Sequence, residues 1–424
     1  MIDIKEIRNN PEKYKRACKI KKFEVNIDRL LETDSLLRDA KQKLQEITTA
    51  KNAIGKDIPN LSADEKKAAL GKLAAFKEEE AKYNEQIKVL QPEFDDRMQS
   101  VPQPPDDDVP VGTDDTENVE LRREGVVREF GFEPKDHVVL GVALDMIDIE
   151  RGVKLSGTRN YFLKGDGAIL HQAALRFALD FMIERGYVLM TVPLLMRDEA
   201  MRGTGYFPGS EEQTYQMERD DLSLVGTAEV PLTAYHMGEI LGEEELPRKY
   251  VAMSSCFRRE AGAAGKDTYG LYRIHQFDKV EQVVICRNSA EESFKYHEEI
   301  LANSEGVMKA LGLPYRVVAV CSGDLGRGQA KKYDIEAWMP SRGNYCETHS
   351  ASKFYDFQAR RMNLRYKDTE AKKNLFCHTL NNTVIASPRV LIPLMEMYQN
   401  ADGSITIPEV LRPYMSGREK ITKK

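Results

Sequence analysis

The sequence predicts an α+β protein, with an antiparallel β-sheet domain flanked by helices and preceded by a long antiparallel α-helical hairpin. Three observations carry this. Two stretches near the N-terminus keep a seven-residue apolar rhythm. A proline- and acid-rich segment, "SVPQPPDDDVPVGTDDTENVE", then interrupts all periodicity. Beyond it, short apolar runs are grouped without regular β–α alternation, which favours an antiparallel sheet over a doubly wound parallel one.

The hairpin comes first. From about residue 27, Leu30, Leu37 and Leu44 fall seven apart, with Ala40, Ile47 and Ile54 as the companion series. These are a and d positions, which place one narrow apolar seam on a long helix. Gly55 and Pro59 break the pattern, and "LSADE" restarts it with Ser62 as N-cap and Glu65 as its capping-box partner. A second seam runs through Leu73, Phe76, Tyr83, Ile87, Leu90 and Phe94, and Pro92 is expected to kink or end it. Two such seams joined by a short turn bury each other only as antiparallel helices, roughly 40 Å long. Between Leu36 and Lys56, Arg38, Lys41, Lys43, Lys51 and Lys56 outnumber Asp39 and Glu46, a bias toward phosphate. The second helix cancels it with Glu78, Glu79, Glu80 and Glu85, so a spacer or oligomerisation element fits these residues as well.

The boundary is placed in the linker, giving domains 1–105 and 106–424. In the second, "GAILHQAALRFALDFMIERGY" reads as a helix ending at Gly186, and "YVLMTVPLL" as a strand. Further strands are expected at "LSLVGTAEV", "KYVAMSSCF", "VEQVVIC", "PYRVVAV" and "KYDIEAWMP", with helices at about 288–311 and 389–400.

Composition narrows the function. The chain has 424 residues, 41% hydrophobic and 31% charged, as expected of a soluble protein of two or more domains. A net charge of -6 offers no global pull on nucleic acid, so any such contact is local. Six scattered cysteines with no C-x-x-C pair argue against a structural zinc site and fit a reducing compartment. With no signal-peptide core and no long apolar run, a cytoplasmic protein without membrane contact is expected. In "AGAAGKDT", Lys266 precedes Asp267 rather than the Ser or Thr of a Walker A loop, and no G-x-G-x-x-G opens a helix. An ATP site here is of another kind.

Residues 257–281, "FRREAGAAGKDTYGLYRIHQFDKVE", load one hairpin with opposed charges, and this stretch resembles motif 2 of class II aminoacyl-tRNA synthetases, in the form found in seryl-tRNA synthetases. "VGTAEVPL" (225–232), "ETHSASKFYDFQARRMNLRY" (347–366) and "TLNNTVIASPRVLIPLMEMYQ" (379–399, motif 3) are similar to that family in the same order. The helix and strand ending at Pro193 resemble motif 1, followed by "GTGYFPG", and the family also opens with a helical hairpin. The resemblance therefore spans the chain and implies the class II synthetase fold.

It implies a chemistry too: serine and Mg-ATP give seryl-adenylate and pyrophosphate, and serine passes to tRNA(Ser), or to tRNA(Sec) where one exists. A carboxylate must approach an α-phosphate of like charge, so catalysis is mostly positioning and neutralisation. Arg258, Glu347 and Arg389 are the catalytic residues implied. Arg258 bridges the α-phosphate and serine carboxylate, Arg389 holds the γ-phosphate, and Glu347 ligates Mg²⁺. The ATP set adds Arg259, Glu260 on the adenine amino group, Ile274, Phe277 under the ring, Thr348, His349 and Ser350. The serine set is Thr227, Ala228, Glu229, Arg258, Glu281 and Thr383, with Thr227 and Glu229 on the ammonium and Glu281 and Thr383 on the hydroxyl. On this reading the hairpin's charges pair with a bound nucleotide rather than with each other. His275 is read as structural rather than as a general base, since the substrate is already a carboxylate.

A pocket that satisfies a hydroxyl rejects alanine by roughly 10⁴-fold, whereas excluding the extra methyl of threonine gives roughly 10 to 200-fold. The family also implies a homodimer through motif 1, each hairpin reaching tRNA on the other subunit. Two departures stand out: Thr383 and Pro388 occupy motif 3 positions that are often Ser and Gly, and Cys346 stands beside Glu347 where arginine is common. Three rivals fare worse. Carrier-protein-charging relatives lack the hairpin, a catalytically dead scaffold would lose Arg258, Glu347 or Arg389, and synthetases for threonine, proline or glycine differ around "TAE" and "HQFDKVE".

Overall fold

A computed structural model describes residues 1–423 except Ala264 and Lys266. The chain forms two compact units, Met1–Pro104 and Pro105–Lys424.

In the first unit, α1 (Ile4–Asn9) and α2 (Pro11–Ile20) precede α3 (Ile27–Asp57) and α4 (Ala63–Ser100). Leu30, Leu37, Ala40 and Ile47 are buried, as the heptads require, and Ser62 and Glu65 form the capping box. Pro92 does not stop α4, which runs eight residues further, to Ser100. The two helices are 31 and 38 residues long. Arg29 clamps Glu93 through two hydrogen bonds of 2.8 and 2.9 Å, and Lys51 pairs with Glu80, so the helices are tied at both ends. Most of the basic cluster is engaged within the hairpin: Arg38 with Asp34, Lys43 with Glu46, Lys41 with Gln91.

The second unit is built on eight strands: β1 (Val119–Glu124), β2 (Val188–Leu189), β3 (Arg248–Phe257), β4 (Gln276–Cys286), β5 (Tyr315–Ala319), β6 (Lys331–Met339), β7 (Asn344–Tyr355) and β8 (His378–Ser387). Their order is β1-β5-β6-β7-β8-β4-β3-β2, antiparallel throughout except that β2 runs parallel to β3 at the edge. Two long helices, α5 (Asp166–Ile183) and α6 (Ala290–Ala310), pack with the sheet in one core. Their Leu170, Ala174, Ala178, Ile300 and Val307 meet Val280, Val284, Leu380 and Val384 of the central strands.

The two-residue period of a strand then decides where the chemistry goes. On β4, Val280 and Val284 join the helix-side core, while Phe277, Lys279 and Glu281 face a cavity. Strand length differs from expectation in two places. "YVLMTVPLL" pairs only at Val188–Leu189 and Leu195–Met196, and the TAE segment of "LSLVGTAEV" is not strand: Glu229 begins a short helix, Glu229–Ala234. Among the described residues, no helix is long and apolar enough to cross a membrane.

Candidate active site

One cavity of about 260 Å³ lies over β4, β7 and β8, and both Arg258 and Arg389 line it. Glu229, Glu260, Ile274, Phe277, Glu281, Glu347, Thr348, Ser350 and Thr383 share the lining. Two β-bulges help to assemble them. Between β6 and β7, Ile335 pairs with His349 but Glu336 pairs with Glu347, so Thr348 is the extra residue and Glu347, Thr348 and Ser350 all reach the cavity. Between β4 and β8, Val280 pairs with Ile385 but Glu281 pairs with Thr383, which sets those two polar side chains opposite each other. The Thr383 hydroxyl donates to Glu281 Oε2 at 3.4 Å.

Register gives the cavity a direction. Glu281 and Thr383 mark one end, and Asp278 lies opposite Ser387 toward the other, where β8 runs out into Arg389. From Phe277 to Glu281 is about 13 Å of strand at 3.3–3.4 Å per residue. At the Arg389 end, its Nε donates to the Tyr272 carbonyl at 3.2 Å and its Nη1 to the Glu347 carbonyl at 3.1 Å. The guanidinium is thereby fixed by backbone, without a carboxylate to neutralise it at those contacts. Arg258 donates from Nε to the Gly226 carbonyl at 3.4 Å and sits 5.2 Å from the Phe277 ring centroid. Burial works against its charge, but Tyr206, Cys256, Glu260 and Glu347 outweigh that and hold its pKa above the ordinary value.

The acidic groups differ in state. Burial first, then the charge of Glu281, raises the Glu229 carboxyl from 4.5 to about 7, with Lys279 opposing. Gln358 donates to Glu229 at 2.9 Å. Glu347 behaves oppositely: desolvation by the cavity walls pushes it up, but Arg389, Lys332 and Arg258 together hold it below the usual carboxylate range. An ionised carboxylate lining this cavity is a donor suited to Mg²⁺. Among the described residues, no three His, Cys, Asp or Glu side chains gather into a metal cage. Glu347 would supply one carboxylate to a metal whose other ligands are phosphate oxygens and water.

Four residues of the sequence-based set do not line the cavity. Arg259 is exposed, and what the structure records for it is a backbone bond to Gln213. Thr227 is buried and caps the turn into the short helix, its hydroxyl accepting from the Glu229 N–H at 3.2 Å. Ala228 is packed in the apolar cluster behind that turn. His349 points away from the cavity, bonded to the Thr348 hydroxyl at 2.7 Å, and burial lowers its pKa to about 4, so it is neutral. A further correction concerns the hairpin charges. Several pair with each other: Glu260 with Arg273 at 2.5 Å and Lys279 with Glu281 at 2.5 Å. His275 holds the Arg258 carbonyl through Nδ1 at 2.9 Å, a positioning contact.

The cavity also includes Tyr206, Tyr272, Arg273, Lys279, Gln329 and Asn381, which sequence reasoning did not single out. Lys279 and Asn381 were accessible to it, being two residues before Glu281 and Thr383 on the same strand faces. Tyr206 lies in "GTGYFPG" and Gln329 in a loop, where no periodicity reveals direction.

Comparison with known proteins agrees with this geometry. Residues 1–105 match the family described as seryl-tRNA synthetase N-terminal domain, and residues 213–398 match tRNA synthetase class II core domain (G, H, P, S and T). The serine–tRNA ligase of Deinococcus radiodurans is 45% identical over 419 residues, 99% of this chain and 98% of that protein. The crystal structure of seryl-tRNA synthetase from Pyrococcus horikoshii complexed with ATP superposes with a TM-score of 0.93 at 37% identity, covering 100% of both chains. The cytoplasmic serine–tRNA ligase of Naegleria fowleri, in complex with AMP, follows at 0.87 and 33%, covering 98% of this chain and 96% of that one. A fold, a cleft and a sequence that agree over the full length leave one assignment: this chain belongs to the seryl-tRNA synthetase family.

Proposed function

We propose that the protein activates L-serine with ATP and transfers it to tRNA(Ser). What supports this most is the single cavity in which Arg258 and Arg389 stand with a carboxylate–hydroxyl pair, Glu281 and Thr383, at one end. The amino acid lies with its ammonium on Glu229 and its hydroxyl between Glu281 and Thr383. Its carboxylate and the α-phosphate then share Arg258, whose planar fork offsets the repulsion between two anions. The adenine lies on Phe277, beside Ile274. Arg389 draws the outer phosphates away from the reacting centre, so that pyrophosphate leaves along a line facing the attacking carboxylate oxygen. Mg²⁺, held by Glu347, supplies charge neutralisation on the phosphates. No protein base is needed, since the nucleophile arrives ionised.

The proposal extends to partners. The strand β2 forms the sheet edge with Val188 and Leu189 57% and 45% exposed, and Ile169 and Ile183 of α5 are exposed nearby in sequence. An uncovered apolar edge strand is a pairing surface, which suits a homodimer through motif 1 in the cytoplasm. The hairpin of the first unit serves as the tRNA arm. Because Arg38, Lys43 and Lys51 are paired within it, its grip on the phosphate backbone depends on exchanging those partners.

The test is charging of a tRNA(Ser) transcript with labelled serine by the full chain. Serine esterification that a tRNA of another specificity does not support is expected. Equal charging of unrelated tRNAs, or none, would overturn the reading.

A further inference from the structure

Another guanidinium, that of Arg342, stands outside the cavity lining but packs on Tyr272, a residue that lines it. Arg342 ends a short 3-10 helix, Pro340–Arg342, and Gly343 at φ +59° turns the chain into β7. The Arg342 guanidinium carbon lies 4.1 Å from the Tyr272 ring centroid, and that of Arg389 lies 4.4 Å from the same centroid. The two cations therefore cannot be further apart than the sum of those distances. One aromatic ring gathers two like charges, each attracted to its π-electrons. Arg389 donates to backbone carbonyls and feels the Glu347 carboxylate, whereas Arg342 has a carboxylate of its own.

That carboxylate is Asp267, whose Oδ1 accepts from Arg342 Nη1 at 2.9 Å, both side chains about one-third exposed at 32% and 33%. A single-point, partly exposed ion pair is weak, whereas a guanidinium facing phosphate makes parallel charge-assisted bonds. The Arg342 charge also acts on the Cys346 thiol, one residue before Glu347, opposing the upward push of burial. It thus reaches from four residues upstream the place that family resemblance gives to an arginine at 346.

We propose that Arg342 is a phosphate-binding residue of this protein, pairing with the outer phosphates of ATP beside Arg389, with Asp267 holding the guanidinium until ATP binds. The inference rests on the ATP site argued above. Phosphate oxygens replace the Asp267 carboxylate, the stem stays on Tyr272, and the departing pyrophosphate is held by two arginines rather than one.

Serine-dependent ATP–pyrophosphate exchange by the full chain tests this, with Arg342→Ala and Asp267→Asn compared. Arg342→Ala is expected to raise the KM for ATP about tenfold, the loss typical of one charge-assisted contact. The KM for serine and the melting temperature should stay unchanged. Asp267→Asn frees Arg342 and is expected to leave the KM for ATP unchanged or lower it. An unaltered KM for ATP in Arg342→Ala overturns the proposal. So does a matching rise in Asp267→Asn, which would make the pair a structural tie between Asp267 and the turn before β7. If the unsubstituted protein shows no serine-dependent exchange, the ATP-site reading falls and this inference with it; normal exchange with an unaffected Arg342→Ala removes Arg342 alone.

Discussion

Serine affinity should depend on pH through one carboxyl group. Glu229 is raised from 4.5 to about 7, by burial first and Glu281 second. A shift of that size means charging Glu229 costs about 3 kcal/mol more than in water at 1.36 kcal/mol per pH unit. A serine ammonium removes much of that cost, so binding and ionisation are linked. Near pH 6 roughly a tenth of the free protein has Glu229 ionised, and near pH 8 roughly nine-tenths, given a pKa of about 7. Serine affinity is therefore expected to rise about tenfold from pH 6 to pH 8, with close to one proton released on binding at pH 6. The sign for stability runs the other way: the raised group favours the folded state below pH 4.5, an advantage lost as pH climbs through about 7. Saturating serine should consequently raise the melting temperature more at pH 8 than at pH 6. Calorimetric titration of serine without ATP, in buffers of different ionisation enthalpy, reads both affinity and protons. A flat profile between pH 6 and 8, or the same slope in Glu229→Gln, would refute the reasoning.

Further outcomes follow from the same geometry. Arg258→Ala is expected to abolish serine-dependent pyrophosphate exchange while the protein stays folded by circular dichroism. Thr383→Val removes a hydroxyl partner, so kcat/KM for serine should fall while alanine is little affected, narrowing a discrimination of roughly 10⁴-fold; competition exchange assays measure it. Lys279→Met leaves Glu281 buried without its ion-pair partner, the two side chains being only 8% and 2% exposed. Breaking such a pair costs about 3–5 kcal/mol, which urea denaturation would register. Chelation of divalent metal should stop exchange yet leave serine titration unchanged, because Glu347 meets the ion only with ATP.

Long-range order was readable where periodicity speaks. The heptads of 27–98 gave the helical pair, and the charged motifs gave Arg258, Glu347 and Arg389 at one cavity. What stayed hidden was decided by register and turns. The bulge at Thr348 changes which side chains of 347–350 face inward, so Glu347 and Ser350 reach the cavity and His349 turns away. "TAE" reads as strand from its apolar neighbours, but it turns into a helix that starts at Glu229, which buries Thr227 in the turn and leaves Glu229 to the pocket. Pro92 is expected to kink or end the second helix, and the ending does not occur, since α4 continues to Ser100. The ion pairs Glu260–Arg273 and Lys279–Glu281 join residues 13 and two apart in the chain, and only the folded hairpin makes the first of them neighbours.

Pyrophosphate exchange across serine, threonine, alanine and glycine, run on the purified full chain with Mg-ATP, bears most directly on two arginines and a hydroxyl pocket sharing one cleft. Exchange with serine, trace exchange with threonine and none above background with alanine or glycine is expected. Exchange that ignores which amino acid is present, or that prefers alanine or glycine to serine, would contradict it.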